Sequence, residues 1–80
     1  MDDKSIMQEI NELVNEEHQL LNQEARGEID DHSRERMRDL EIELDQLWDL
    51  LRQRRARRDF GQNPDEAEVR PPNVVETYDQ

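Results

Sequence analysis

Residues 22–33 read NQEARGEIDDHS, and the parsing of this stretch decides the fold. Upstream of it, Ile6, Met7, Ile10, Leu13, Val14, Leu20 and Leu21 recur at spacings of three and four, the period of an amphipathic helix. Gly27 offers the left-handed conformation that stops a helix, and Arg26 puts a cation at the negative end of its dipole. Asp30 is a good N-cap for a second helix, with Asp31 in its first turn. The helical period then resumes through Met37, Leu40, Leu44, Leu47 and Leu51, with Trp48 and Leu50 beside that seam. The stretch is therefore a turn between two helices, one over 3–26 and one over 31–59, with the turn at 27–30. At the other end, Asp2, Asp3 or Ser5 can cap the first helix, and Ser5 followed by Gln8 has the form of a capping box.

So short a connection makes the pair an antiparallel αα-hairpin. Folding the chain about Glu28 sets Leu51 near Ile6, Leu44 near Leu13 and Met37 near Leu20, so apolar residues face each other along its length. Two helices alone cannot cover both stripes, because the apolar arc of the first is wider than a two-stranded seam needs. The expected solution is a two-fold dimer of hairpins forming a coiled-coil-like four-helix bundle. Its seam comprises Met7, Ile10, Val14, Glu17, Leu21, Met37, Leu40, Leu44, Leu47, Trp48 and Leu51. The hairpin occupies residues 1–60. Beyond it, Pro64, Pro71 and Pro72 break any continuous helix, so 61–80 is an irregular acidic tail, partly disordered or docked. Val69, Val74, Val75 and Tyr78 could dock there, with Ile42, off the main stripe, as a landing point.

Composition narrows the function classes. Only 31% of the 80 residues are apolar and 41% are charged, with a net charge of −11. Such a chain makes one small domain with little core material. It has no cysteine, which excludes disulfides and thiolate metal sites. No apolar run is long enough to span a membrane, and the acidic start MDDKSIMQEI lacks a signal-peptide core, so a cytoplasmic protein is expected. The negative field also opposes non-specific attraction to nucleic acid.

Against that background, Leu51–Gly61, LRQRRARRDFG, packs Arg52, Arg54, Arg55, Arg57 and Arg58 into one helix end. Clustered arginines suit phosphate, but no aromatic residues interleave them for base stacking. An acidic protein partner is a second reading. A third is internal: cations favour a helix C-terminus, Asp2 and Asp3 lie opposite in the hairpin, and Asp65, Glu66 and Glu68 come closely after. Because the next seam positions after Leu51 are Arg54 and Arg58, the last two turns are expected to project past the core.

The stretches INELVNEEHQLL, LDQLWDLLRQRRARRDFG and NPDEAEVRPPNVVETY resemble a family of small, mainly actinobacterial proteins catalogued as a domain of unknown function. The resemblance spans nearly the whole chain and implies a short, mostly helical, intracellular bacterial protein. It supplies no activity, cofactor or catalytic residue.

Glu17 sits in the seam between Val14 and Leu21, where a carboxylate needs a partner; Arg36 and Arg38 are near enough in register. Its ordinary role would be to fix register and oligomer state. A metal site with His18 is a weaker reading. Bundles that bind metal through carboxylates use Glu-x-x-His, whereas His18 is adjacent to Glu17 and points about 100° away. Trp48 reads as a core or dimer anchor. The two serines, Ser5 and Ser33, have no triad around them, and the isolated Gly27 and Gly61 build no phosphate loop. The sequence thus points to a non-enzymatic, cofactor-free helical protein that self-associates and serves as an interaction or structural accessory module. Nucleic-acid association through Arg52–Arg58 is the alternative.

Overall fold

The computed structural model describes residues 1–75 and is all-helical, without strands among them. Helix α1 spans Asp3–Ala25 and α2 spans Asp31–Asp59; the two pack against each other. A 3-10 turn, Pro64–Glu66, and a short helix α3, Pro72–Val75, come next and rest on α2. Tyr78, one of the candidate docking residues, lies outside the described residues.

Local chemistry sets each boundary. The carboxylates of Asp2 and Asp30 each accept from the backbone N–H three residues on, Ser5 and Ser33, both at 2.8 Å. These bonds satisfy N–H groups that a helix start leaves without partners. Both long helices end on a glycine at φ 70°, Gly27 and Gly61. Around Gly27, Glu28 N–H donates to Gln23 C=O at 2.8 Å and Gly27 N–H to Glu24 C=O at 3.0 Å. Around Gly61, Gln62 N–H donates to Arg57 C=O at 2.7 Å and Gly61 N–H to Arg58 C=O at 3.2 Å. Both are Schellman closures, which need a left-handed residue at that position.

The core runs along the hairpin from Ile6 and Ile10 to Leu44, Leu47 and Leu50, flanked by Leu13, Val14, Leu51 and Ala67. Leu40 is fully buried and Leu20 nearly so toward the turn. One sequence expectation is corrected here. Of the two roles expected for Trp48, core or dimer anchor, the first does not hold within the hairpin: Trp48 is 41% exposed, whereas its neighbour Leu50 is buried. The cause is the tail, which covers α2 on the Asp49–Leu50 side and turns the buried arc of the helix away from Trp48.

The tail is held by a polar ladder on α2. Gln46, Asp49 and Gln53, spaced three and four, form one stripe. The amide of Gln46 donates to Arg70 C=O at 3.1 Å and that of Gln53 to Glu68 C=O at 2.8 Å. Between them Asp49, wholly shielded from solvent, receives both arms of the Arg70 guanidinium, Nε at 2.8 Å from Oδ2 and Nη2 on Oδ1. Gln53 adds a bond to Asp49 at 2.9 Å. Val75, at the end of the described chain, is buried. The bidentate fork matches the carboxylate in both geometry and charge.

Loss of either partner should release the tail rather than unfold the hairpin, since undocking returns the stranded group to water. In Arg70→Ala and Asp49→Ala, limited proteolysis between Gly61 and Val75 should accelerate roughly tenfold or more, the effect of about 1.4 kcal/mol. Unchanged cleavage would show that the ladder does not hold the tail. The Arg70 bonds, reinforced by Gln53, keep the Asp49 carboxyl below its ordinary value of 3.8 despite burial. A carboxylate depressed in the folded state stabilises docking above its unfolded value and loses that effect as pH falls through the folded one. Tail protection, read by the same proteolysis with an acid-active protease, should therefore be constant above about pH 5 and collapse only below about pH 4.

Candidate interaction surface at the basic end

The five arginines do not form one patch. Arg54 is buried; its Nε bonds Asp3 at 2.5 Å, and its Nη1 reaches Pro64 C=O at 3.1 Å and Asp65 at 3.0 Å. One guanidinium thus ties the start of α1, the end of α2 and the 3-10 turn together. Arg58 contacts the other oxygen of Asp3 at 2.9 Å, and Arg57 lies 3.6 Å from Glu66. Arg54 and Arg58 bonds hold the Asp3 carboxyl below its ordinary value. The expected overhang is corrected at this point: Arg54 closes the core end instead of projecting past it, because Asp3 and the tail reach it from both sides. Arg52 and Arg55 are exposed on the opposite side, and Arg55 forms no ion pair among the described residues.

That opposite side carries a groove of about 450 Å³, lined by Met7, Trp48 and Leu51 with Asp3, Arg52, Arg55 and Arg58 around it. It is one end of a longer face. Residues seven apart on a helix lie only about 20° out of line, so Met7 continues into Val14 and Leu21, and Leu51 continues past the buried Leu44 to Met37. Met7 and Leu21 are 38% and 43% exposed, while Val14, Met37 and Leu51 are half-buried. Among the described residues, the tail covers one side of the hairpin and leaves this one open.

The other expected seam residues divide between these environments. Ile10, Leu40, Leu44 and Leu47 are buried within the hairpin. Glu17 is half-buried, but the expected arginine goes elsewhere: Arg36 forks onto the preceding Glu16 at 2.6 and 2.9 Å and approaches Glu43 at 3.8 Å. Arg38 is exposed. Glu16 points to the tail-covered side, half a turn from Met7, so this pair bridges the helices from behind. His18 is exposed, and no group of three acids or histidines gathers as a metal-ligand set among the described residues. No helix there is long and apolar enough to cross a membrane.

Sequence reasoning missed the Gln46–Asp49–Gln53 ladder and Arg70. Two signals were present: a polar 3–4 stripe interrupting the apolar run LWDLL, and a single base, Arg70, in an otherwise acidic tail.

Comparison with known proteins gives the family and no activity. Uncharacterized proteins of Mycobacterium tuberculosis and Mycobacterium bovis are each 48% identical over 77 residues, covering 95% of this chain and 88% of theirs. No solved structure matches the chain. A family model described as a protein of unknown function (DUF2630) matches residues 2–80, and the chain belongs to that family.

Proposed function

We propose that this protein is a non-enzymatic, self-associating helical module, in which two hairpins pair through the open face to form a four-helix bundle. One observation carries the reading: the tail covers one side of the hairpin, while Met7, Val14, Leu21, Met37, Trp48 and Leu51 line the other. Large apolar side chains repeated at heptad spacing on both helices suit a helical partner of the same length. The protein measures 49 × 25 × 18 Å, so its broad face can supply the roughly 800 Å² per partner of a stable interface. The bundle would then act as an interaction or structural accessory unit, with its acidic outer faces and the remaining basic groups available to other proteins.

Nucleic-acid association is the weaker reading, because Arg54, Arg57 and Arg58 already face Asp3, Asp65 and Glu66. Sedimentation at about 10 μM should give a dimer. Leu21→Glu, a change at an exposed position, should give a monomer of undiminished helicity. A wild-type monomer across the micromolar range would overturn the proposal. Nucleic-acid binding that falls steeply with salt and disappears in Arg55→Ala would favour the alternative.

A further inference from the structure

We propose that the Gln46–Asp49–Gln53 stripe of α2 is a recognition site for an extended basic segment of another protein. That segment carries an arginine followed by proline, and the chain's own tail is the site's displaceable occupant. The stripe lies on the side away from the self-association face, so it stands or falls separately from that reading.

The seated tail shows what the site reads. Gln46 and Gln53 donate to the carbonyls of Arg70 and Glu68, alternate residues of a stretch without regular structure. Any residue supplies a carbonyl, so these bonds hold main chain and leave the sequence unread. Selection falls to Asp49, which is wholly shielded and accepts both arms of Arg70. An occupant without a cation would leave that carboxylate buried and unpaired, and a lysine would offer a point charge where the arginine fork matches two oxygens. Pro71 biases the residue before it toward the extended conformation, which prepares Arg70 for the crossing. Ala67, packed on the core, and the buried Val75 mark small and aliphatic anchor positions three before and five after the arginine.

The tail meets these requirements incompletely. It is an acidic segment on a protein of net charge −11, and its Glu68 forms no ion pair among the described residues. Val69, 55% exposed, borders a hollow of about 160 Å³ that Glu9, Glu43, Gln46 and Leu47 also line. Glu9 forms no ion pair among the described residues, and Glu43 has the 3.8 Å approach of Arg36. A lysine at the position of Val69 would carry its ammonium into this hollow, toward two carboxylates that a valine leaves unanswered. The site therefore suits a base before the arginine better than the residue the chain supplies.

Tethering explains why so imperfect an occupant stays seated. A tail held at about millimolar effective concentration, and docked about tenfold over release, corresponds to a dissociation constant of about 0.1 mM for the same segment as a free peptide. The test uses full-length Arg70→Ala protein, whose tail is released, and fluorescent peptides of residues 64–75. The Val69→Lys peptide should bind this protein roughly two- to fivefold more tightly than the native peptide does. It should bind wild-type protein roughly tenfold more weakly, because the tail competes there. The Arg70→Ala peptide should not bind, and Asp49→Ala protein should bind none of the three. In the otherwise unaltered chain, Val69→Lys should slow amide hydrogen exchange over residues 66–75 roughly two- to fivefold, and Val69→Glu should speed it. No binding at millimolar peptide, binding that survives Arg70→Ala in the peptide, or equal binding to wild-type and Arg70→Ala protein overturns the site. A native peptide that binds as tightly as the Val69→Lys peptide, or exchange that Val69→Lys leaves unaltered, overturns the basic partner in favour of a second copy's tail.

Discussion

A two-helix hairpin has two open sides, and an apolar stripe wide enough to hold the helices together is too wide for either helix to hide from both. Each feature of this protein answers that constraint. Ile6, Ile10, Leu44 and Leu47 join the helices, but burial of Leu50 takes a third element, supplied by the tail with Ala67 and the polar ladder. On the far side no third element exists among the described residues, and Met7, Leu21 and Trp48 stay in contact with solvent. For a chain so poor in apolar residues, leaving that surface open forfeits a sizeable share of the burial available to it.

The ion pairs are best understood as positional devices. Desolvating Asp49 opposes the attraction of Arg70, so the pair adds little net stability over an apolar contact of similar size. What it does is position: with the fork of Arg70 on Asp49, the tail carbonyls of Glu68 and Arg70 meet Gln53 and Gln46. Arg54 works similarly at the end of the hairpin, where it fixes Asp3 and the Pro64–Asp65 turn to one guanidinium. The arginine run of an acidic protein thus resolves into separate jobs. Arg54, Arg57 and Arg58 organise the chain's own acids, and Arg52 and Arg55 face outward beside the groove.

Signals that are local in sequence were legible as local structure. Asp30 as a cap, Gly27 and Gly61 as stops and the leucine period of α2 each depend on residues within a turn of one another, so neither helix needs knowledge of the rest of the chain. The hairpin direction comes from the short turn. Burial around α2 was not legible in the same way, because it depends on a pairing 21 residues apart, Asp49 with Arg70. Without that pairing Trp48 and Leu50 both read as flanks of the seam; in the structure Leu50 is buried and Trp48 is 41% exposed. Arg54 was misplaced for a similar reason. A seam arginine reads as the end of the core unless the acids that reach it, Asp3 and Asp65, are known to converge there.

The central claim is that the tail closes one side of the hairpin and a second copy closes the other. Trp48, the single tryptophan, lies on the second side and reports on it directly. Acrylamide quenching of its fluorescence, measured over a dilution series, should show a shielded indole at high concentration that becomes accessible as the dimer dissociates. An indole equally accessible at every concentration would contradict the account.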